Sequence, residues 1–464
     1  MGAAGTEGAE GFASGNSRLG PRLVVAGTHS GSGKTTVATG LMAALSRRGM
    51  TVSSGKVGPD FIDPGYHHLA TGRTGRNLDE WICGSESIAP LAARAAAGSD
   101  ILIVEGVMGL FDGASTAGPQ ASTASVARLI DAPILLVVDA SSIGRSVAAM
   151  VDGYLRLAES EGARIRAVVL NKVGSDNHEA ILRAALDPTG VPVLGSLPRD
   201  ERLSWRDRHL GLVPVVERPA EVARSLEVLA AAVSERVDLD SVVRLARSAP
   251  PLSPAGLPPT RTTGRCRIAV VTGKAFSFAY ADNMERLAEA GAELLPLDPL
   301  SDQLLPEGCT ALYAGGGFPE TYAAELSANL PLRLAVSKAW AGGLVVWAEC
   351  GGLAWLSRSL DEHQMCGVVP TSVRMTGHLT LGYRSGSCDR ESPVAPAGAV
   401  LRGHEFHYSV CTPAGSALTL SGRTGTTTHG FAGPRLMASY LHQHLGADPV
   451  PAELLVALAS TPVA

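Results

Sequence analysis

Short apolar runs alternate with longer stretches of helical pattern through the first half of the chain. Between residues 22 and 197 the apolar runs are RLVVAG, ILIVEG, APILLVVD, RAVVLN and VPVLGSLP, and residues 35–48 form a helical stretch after the first run. Runs that are apolar at every position are typical of strands buried on both faces, so the alternation predicts a mostly parallel, doubly wound sheet. We therefore predict an α/β domain over residues 21–247, preceded by a flexible tail over residues 1–20 that is rich in Gly, Ala, Glu and Ser.

A second series of apolar runs begins after a break in this pattern. Residues 248–265 are rich in Pro, Gly and Thr and lack apolar periodicity, which indicates a linker. The runs RIAVVTG, AELLPL, ALYAGGG and GLVVWAECGG follow, and they predict a second α/β domain over residues 266–464. No window approaches the roughly 18 to 20 consecutive apolar residues of a membrane span, so we expect a soluble protein.

The segment GTHSGSGKTT at residues 27–36 has the features of a phosphate-binding loop, because it follows an apolar strand and opens a helix. Glycines let backbone N–H groups face phosphate oxygens, and the helix N-terminus favours negative charge. A lysine can reach the terminal phosphates, and a hydroxyl can hold Mg²⁺. Thr28 stands where the strict spacing expects the first glycine, and an unoccupied glycine-rich turn is the competing interpretation. The predicted nucleotide-binding residues are Gly31, Gly33, Lys34, Thr35 and Thr36.

Carboxylates follow two further strands, in the segments KVGPDFIDP and VEGVMGLFDG. Loops at the carboxyl ends of parallel strands are where such sheets bind ligands, and Mg²⁺ prefers hard oxygen ligands. The predicted site residues are Lys56 on the nucleotide, Asp60 and Glu105 as ligands of Mg²⁺ with Thr35, and Asp63 and Asp112 as residues that orient the acceptor. The competing interpretation is that Asp63 and Asp112 are ordinary turn residues.

The segment from Asn171 to Gly174 resembles a base-recognition loop at the end of the strand RAVVL. The guanine-binding form of such a loop carries aspartate at its fourth position, where this chain has Gly174. The sequence therefore favours ATP over GTP, with Asn171 as the adenine contact. A plain turn at the end of a strand is the alternative.

The second domain carries the pattern of a cysteine nucleophile. In GLVVWAECGGL, an apolar strand leads through a turn of small residues at Cys350 into a helix, which is the nucleophile-elbow arrangement. The upstream stretch AGGGFPE can supply backbone N–H groups for an oxyanion hole, with Gly316, Gly317 and Gly351 as the predicted residues. Downstream, ASYLHQH offers His442 as the base. The other six cysteines are expected to be small buried side chains.

Composition narrows the class of protein. Charged residues are 18%, hydrophobic residues 45% and the formal net charge is -5, which argues against a disordered chain and against a strongly basic nucleic-acid binder. Seven cysteines without a C-x-x-C pair do not form a disulfide framework, and they favour the reducing cytoplasm. His404 with His407, and His442 with His444, lack further ligands at zinc spacing, so we expect packed or substrate-orienting histidines rather than a metal site.

Taken in order, seven segments resemble the cobyrinic or hydrogenobyrinic acid a,c-diamide synthase family. They are GTHSGSGKTT, KVGPDFIDP, VEGVMGLFDG, AGGGFPE, AECGGL, RGHEFHYS and ASYLHQH. KVGPDFIDP and RGHEFHYS separate this family from the sister cobyric acid synthases. The resemblance implies a ligase of cobalamin biosynthesis with two domains, one similar to dethiobiotin synthetase and one of the class I glutamine amidotransferase type.

The resemblance also implies the reaction. The a and c acetate carboxylates of a corrinoid would be converted with ATP and Mg²⁺ into acyl phosphates and amidated with ammonia from glutamine, released by Cys350 and His442. A sheltered route between the domains is expected for the ammonia. Many class I amidotransferases carry a glutamate two positions after the histidine, whereas this chain has His444, and Glu349 beside the nucleophile is not an obvious replacement.

Two other functions remain open from the sequence. A sister enzyme could amidate another tetrapyrrole, such as nickel-sirohydrochlorin. A nucleotide-switched adaptor would use the phosphate loop, but it leaves the Cys350 half unexplained. The corrinoid is expected with or without cobalt, and both a monomer and a homodimer are compatible with the sequence.

Overall fold

The computed structural model describes residues 18–114, 120–203, 207–208, 211–212, 214–423 and 425–461, and they form two consecutive α/β units. The strands of the first unit are β1 (Arg22–Gly27), β2 (Val52–Val57), β3 (Arg76–Leu78), β4 (Ile101–Glu105), β5 (Pro133–Asp139), β6 (Arg164–Val173), β7 (Val193–Pro198), β8 (Asp207–Arg208) and β9 (Gly211–Leu212). Its helices are α1 (Lys34–Arg47), α2 (Asp63–Thr71), α3 (Glu80–Cys83), α4 (Ser85–Ala96), α5 (Thr123–Leu129), α6 (Val147–Ser160), α7 (Asp176–Leu186), α8 (Pro219–Arg236) and α9 (Leu239–Arg247).

The first unit is a doubly wound sheet, as predicted. Its seven strands run in the order β3-β2-β4-β1-β5-β6-β7, and all neighbours are parallel. Along β1, Leu23 and Val25 pack with α1, α8 and α9, whereas Val24 and Ala26 pack with α4 to α7 on the other face. Burial on both faces explains why β1, β4 and β5 are apolar at nearly every position, whereas β2 and β3 are buried but largely polar and were not among the predicted apolar runs. The phosphate-binding segment leaves β1 in the middle of this sheet.

The second unit contains two sheets in its described residues. Its strands are β10 (Cys266–Val271), β11 (Ala292–Leu297), β12 (Ala311–Ala314), β13 (Val345–Glu349), β14 (Ser359–Leu360), β15 (His363–Gln364), β16 (Ser372–Cys388), β17 (Val400–Thr412), β18 (Leu418–Gly422), β19 (Gly425–His429), β20 (Phe431–Gly433) and β21 (Leu436–Ser439). Its helices are α10 (Ala281–Glu289), α11 (Ala323–Ala328), α12 (Leu330–Ala341), α13 (Gly351–Leu356) and α14 (Val450–Ala459).

One sheet of this unit has the strand order β11-β10-β12-β13-β21-β20. Its strands are parallel to their neighbours except β20, which is antiparallel to β21. A second sheet is built on the long antiparallel pair β16 and β17, extended by β18 and β19. The apolar runs predicted the first sheet but not the second. Many side chains of β16 and β19 are exposed or only partly buried, so these strands lack continuous apolar runs.

The predicted tail and linker are both attached to the fold. Residues 1–17 lie outside the described residues, but Leu19 is fully buried and its N–H donates to the carbonyl of Leu252 at 2.7 Å. The tail that we predicted over residues 1–20 therefore ends before Leu19. Residues 248–265 contain no helix or strand among their described positions, and Arg261 ties them to Glu453 on α14 at 2.7 Å.

Charged side chains join the two units. Arg76 on β3 lies 2.9 Å from Asp282 and 2.6 Å from Glu285, both on α10. From β16, the hydroxyl of Tyr383 donates to Asp79 before α3 at 2.8 Å. The contact brings the carboxyl ends of the two parallel sheets to a shared interface.

Within the described residues, no helix is long and apolar enough to cross a membrane.

Candidate active site

The phosphate loop connects β1 to α1. Gly33 has a φ of 90°, and a Cβ at this position would lie 1.9 Å from Nδ2 of Asn171, so both backbone and packing require glycine. Lys34 begins α1, and its Nζ donates to the carbonyl of His29 within the loop at 3.3 Å. The loop thus brings a lysine to a helix N-terminus, which is the arrangement that binds phosphate.

Behind this loop, a hydroxyl and three charged or ionisable side chains meet around Glu105. Thr35 Oγ1 donates to Glu105 Oε1 at 2.5 Å, and Lys56 Nζ lies 3.0 Å from the same oxygen. His67 Nε2 lies 2.7 Å from Glu105 Oε2. Lys56 Nζ also pairs with Asp63 Oδ2 at 2.5 Å. Four segments that are distant in sequence therefore form one buried polar cluster.

The charges of this cluster are mutually stabilised. Burial alone would raise the pKa of Glu105, but the Lys56 charge and the His67 hydrogen bond hold that pKa well below its usual range. Burial alone would lower the pKa of Lys56, but Asp63 and Glu105 raise it above its ordinary value. Burial and the nearby Lys56 charge lower the pKa of Lys34 to about 8. An added phosphate charge near Lys34 would favour its protonated form.

His67 is a member of the cluster that the sequence did not reveal. It lies four residues after Asp63 on α2, which places both side chains on one face of the helix. Its side chain is completely buried. That spacing was the available signal, but it does not by itself indicate a partner on β4.

Asp60 and Asp112 lie beside the cluster and hold their own loops. Asp60 Oδ1 accepts hydrogen bonds from the N–H groups of Ile62 at 2.6 Å and Asp63 at 3.1 Å. Asp112 Oδ2 accepts one from the N–H of Gly109 at 2.8 Å. Asp60 and Asp112 thus accept hydrogen bonds that are typical of turn residues. Their loops lie beside the phosphate-binding segment.

The donor set suits Mg²⁺ held together with phosphates. Thr35, Asp60, Asp63 and Glu105 supply the hard oxygens that this ion prefers. In the described part of the chain, no three His, Cys, Asp or Glu side chains converge as a metal cage. Mg²⁺ needs no such cage, because it binds through one or two protein oxygens, phosphates and water. Both oxygens of Glu105 already have protein partners, so in this structure Glu105 anchors Thr35 and Lys56.

A cleft of about 580 Å³ lies over the phosphate loop, and Asn171 forms part of its wall. The other described lining residues are Gly31, Gly33, Lys34, Thr35, Thr36, Ser141, Ser142, Lys172, Pro198, Arg199, Asp200, Glu201 and Leu203. Asn171 Nδ2 donates to the carbonyl of Ser32 at 3.0 Å, and Lys172 donates to that of Gly31 at 2.8 Å. Asn171 therefore braces the phosphate loop, and its contact with adenine stays a prediction.

In the second unit, Cys350 occupies the sharp turn between β13 and α13. Its φ of 48° and ψ of -101° are rare for a residue with a side chain. The N–H of Cys350 donates to the carbonyl of Ser439 at the end of β21 at 2.8 Å, so the neighbouring strand holds the turn. The Sγ atom lies 3.8 Å from the carbonyl of Phe406. The predicted elbow is present in the structure.

The glycines near Cys350 have different roles. A Cβ on Gly316 would lie 2.5 Å from Cε1 of His442, and the N–H of Gly316 donates to the carbonyl of Phe278 at 2.9 Å. Gly316 therefore makes room for the histidine, and its N–H is not free to serve as the oxyanion donor that we predicted. Gly317 and Gly351 line the cavity at Cys350 and stay candidates for that role.

His442 lies beside Cys350 and is almost completely buried. Its Nδ1 is 3.7 Å from Glu349 Oε2, a distance at which charge attraction rather than a hydrogen bond acts. Burial alone would lower the pKa of His442, but its bond to Cys350 and the negative charges of Cys350 and Glu349 raise that pKa to about 10. A protonated imidazole next to a thiol favours the reactive thiolate.

His444 is directed away from this centre. Its Nδ1 lies 3.3 Å from Cys83 Sγ, and its Nε2 lies 3.7 Å from Asp282 Oδ2. Cys83 belongs to the first unit, so His444 contributes to the interface between the units. Of the two histidines in ASYLHQH, only His442 is next to Cys350.

His404 and His407 also have separate environments. The His404 ring stacks on His442 with centroids 5.0 Å apart, and its Nδ1 lies 3.3 Å from the hydroxyl of Tyr280. The His407 ring stacks on Tyr440 at 3.7 Å and lines the cavity at Cys350. Burial lowers the pKa of His407 to about 4, so this ring is neutral near pH 7. These contacts are consistent with packed or substrate-orienting histidines.

Phe61 connects the two centres. It lies between the Asp60 and Asp63 positions of the first unit, yet its ring centroid is 5.1 Å from that of His442. It also stacks on Tyr280 at 4.3 Å, and the Tyr280 hydroxyl donates to the carbonyl of Pro59 at 3.0 Å. The loop that carries the carboxylates of one site thus packs on the histidine of the other, a contact for which the sequence held no signal.

Two family models match the chain. The CobQ/CobB/MinD/ParA nucleotide binding domain matches residues 23–213, and the CobB/CobQ-like glutamine amidotransferase domain matches residues 267–450. The two α/β units thus coincide with a nucleotide-binding and an amidotransferase domain.

Curated relatives match nearly the whole chain. A hydrogenobyrinate a,c-diamide synthase of Streptomyces coelicolor is 49% identical, covering 92% of this chain and 95% of its own. One of Thermobifida fusca is 45% identical, covering 95% of this chain and 97% of its own. A cobyrinate a,c-diamide synthase of Syntrophotalea carbinolica is 42% identical, covering 94% of this chain and 98% of its own.

Proposed function

Because the chain belongs to the hydrogenobyrinate and cobyrinate a,c-diamide synthase family, we propose that it amidates the a and c carboxylates of hydrogenobyrinate, the cobalt-free substrate. It is a glutamine-dependent amide-forming ligase of cobalamin biosynthesis. The choice of the cobalt-free substrate is supported by the relatives at 45% and 49% identity, which carry the hydrogenobyrinate name, whereas the relative at 42% carries the cobyrinate name.

The first unit would activate the carboxylate. A carboxylate resists attack by ammonia, so ATP would transfer its γ-phosphoryl group to a carboxylate oxygen and leave an acyl phosphate and ADP. Lys34 would offset the charge of the terminal phosphates, with Lys56 held close by through Glu105 and Asp63. Thr35 and Asp60 would hold Mg²⁺, which supplies further positive charge when bound, and Glu105, which we predicted as a third ligand, would anchor Thr35 and Lys56 instead. Asp63 and Asp112 would orient the acceptor.

The second unit would supply the ammonia. The thiolate of Cys350 attacks the side-chain carbonyl of glutamine, and the N–H groups of Gly317 and Gly351 stabilise the oxyanion. His442 gives its proton to the leaving nitrogen, so ammonia departs and a thioester remains. Water then hydrolyses the thioester to glutamate and restores the thiol. Ammonia displaces phosphate from the acyl phosphate to form the amide.

The observation that carries this proposal is that family relatives cover the chain almost end to end. The motifs of both reactions also meet across one interface. Incubation with glutamine, ATP and Mg²⁺, followed by mass spectrometry, tests it. Hydrogenobyrinate should lose about 1 Da for each carboxylate amidated, twice in all, and it should react faster than cobyrinate. A faster reaction with cobyrinate would overturn the choice of substrate, and no reaction with either would overturn the proposal.

The same assay separates the remaining alternatives. Amidation of nickel-sirohydrochlorin in preference to both corrinoids would favour a sister activity. The homodimer and the cytoplasmic location stay predictions, the first of them testable by light scattering of the purified protein.

A further inference from the structure

We propose that Glu349 is the carboxylate that positions His442 for glutamine hydrolysis. The inference rests on the proposed glutaminase function of the second unit and names the third member of its catalytic group. Many class I amidotransferases carry a glutamate two residues after the histidine, where this chain has His444. In this chain the carboxylate comes instead from the residue before the nucleophile.

Glu349 lies beside the Nδ1 atom of the His442 ring. Glu349 is the last residue of β13, and its Oε2 lies 3.7 Å from Nδ1 of His442. Among the described residues, this Nδ1 has no hydrogen-bond partner that competes with the carboxylate. The other ring nitrogen is then left for Cys350. Glu349 is thus on the correct atom of the ring to orient it.

Two donors fix the carboxylate in this position. The hydroxyl of Tyr313 donates to Glu349 Oε2 at 2.9 Å, and the N–H of Gln443 donates to Oε1 at 3.0 Å. Glu349 is only 1% exposed, so water does not screen its charge from His442. Gln443 immediately follows His442, so the same carboxylate holds both the ring and its backbone.

The other neighbours of His442 cannot take this role. His404 stacks on its face, Phe61 is apolar, and the His407 ring stacks on Tyr440 instead. His444 is occupied with Cys83 and Asp282 at the interface. Glu349 is therefore the one described carboxylate beside His442.

The carboxylate would act without accepting the proton. When His442 takes the proton of the Cys350 thiol, a positive ring forms, and the Glu349 carboxylate stabilises it and holds Nδ1–H toward itself. The opposite nitrogen then carries the proton that passes to the leaving ammonia. Glu349 is a positioning residue, since it touches the histidine and not the substrate.

Glu349→Gln tests the proposal because it removes the charge and keeps the shape. Glutamine hydrolysis should fall about 10²-fold, while ammonia-dependent amidation stays at the wild-type rate. The pH midpoint for alkylation of Cys350 by iodoacetamide should rise by about one pH unit or more, because the imidazolium loses its negative neighbour. A purely structural role would not move this midpoint in a folded variant.

Two variants serve as controls. Asp282→Asn removes the carboxylate beside His444 and should leave the alkylation midpoint unchanged. Tyr313→Phe removes one donor but keeps the charge, and it should shift the midpoint much less than Glu349→Gln. A wild-type midpoint and a wild-type glutaminase rate in Glu349→Gln would overturn the assignment.

A loss of ammonia-dependent synthesis in Glu349→Gln would indicate misfolding, and Glu349→Asp then decides. Its shorter side chain keeps the charge but moves it away from Nδ1, so the midpoint should rise by part of the expected shift. No shift would overturn the proposal. If wild-type protein and Cys350→Ala hydrolyse glutamine equally, the proposed function of Cys350 fails instead, and the two failures are distinguishable.

Discussion

Cys350 holds a backbone conformation that residues with side chains rarely adopt, and β21 keeps it there through the Ser439 carbonyl. The turn exposes the thiol to the cavity while His442 remains almost completely buried beside it. Because the imidazole has a pKa of about 10, it is protonated across the neutral range. The reactivity of the thiol thus depends on the strained backbone of Cys350 and on the buried ring of His442.

Replacing Cys350 separates the two half-reactions. Cys350→Ala should abolish glutamine-dependent amidation but leave activity with excess ammonium salt, since the first unit can use ammonia from any source. Lys34→Ala should abolish both, because the phosphate loop would lose the lysine that offsets the charge of the terminal phosphates. Product formation with each nitrogen source measures this, and a folded Cys350→Ala protein that is inactive with ammonium would contradict the division of labour.

The two histidines of ASYLHQH provide a matched comparison. His442→Ala should lose roughly two to four decades of glutaminase rate, because the proton donor for the leaving nitrogen is gone. His444→Ala should lose much less, since His444 faces Cys83 and Asp282 at the interface. Glutaminase rates of both variants, beside their ammonia-dependent rates, decide the matter. A larger loss for His444→Ala would reverse the assignment.

At the scale of elements, adjacent parallel strands assemble the phosphate site. β2, β4 and β1 are neighbours in the sheet, and Lys56, Glu105 and the phosphate loop lie at their carboxyl ends. Parallel strands place all these ends on one edge, so Glu105 meets Lys56, 49 residues away in sequence, and Thr35, 70 residues away. The second unit repeats this principle with β12, β13 and β21, whose carboxyl ends are followed directly by Gly315, Cys350 and Tyr440.

The close approach of two such loops predicts the effect of Gly316→Ala. The added Cβ would lie 2.5 Å from Cε1 of His442 and must displace the ring. Because small displacements of a catalytic group are costly, the glutaminase rate should fall on the order of 10²-fold, with ammonia-dependent synthesis unchanged. Gly377→Ala is the control, since a Cβ there meets open space. Equal rates for the two variants would show that His442 tolerates the shift.

At the scale of the molecule, the interface between the units brings the phosphate-binding site and the Cys350 site close together. The ion pairs of Arg76 with Asp282 and Glu285 are largely buried, so they fix the orientation of the units. Phe61 then contacts His442 from the carboxylate-bearing loop of the first unit. If nucleotide binding moved that loop, the Phe61 ring would move against the His442 ring of the other unit.

Removal of that ring should uncouple the two reactions. In Phe61→Ala, glutamine hydrolysis should continue while amide formation falls, so the ratio of glutamate released to amide formed should rise several-fold. Phe61→Tyr keeps the stacked ring and should retain a ratio near that of the wild type. Parallel measurement of glutamate and of amidated product tests the prediction, and an unchanged ratio in Phe61→Ala would mean that the ring does not couple the sites.

The amino-acid sequence by itself determined the two α/β units, the phosphate loop, the nucleophile elbow and the choice of His442. Each of these depends on a local pattern, because an apolar strand, a turn and a helix are adjacent in the chain and their spacing is visible in the sequence. The same adjacency allowed the family resemblance to be recognised from seven segments. The exposed strands β16 and β19 were missed because half-buried strands lack continuous apolar runs.

Only the tertiary structure decided which distant side chains meet. His67 beside Glu105, Glu349 beside His442 and Phe61 on the same histidine join segments whose separation in sequence carries no information about distance. In the structure, the N–H of Gly316 donates to the carbonyl of Phe278, so this glycine serves close packing. His444 lies against Cys83 of the other unit. Burial and charge pairing act through space, so these roles depend on how the two units fold and dock.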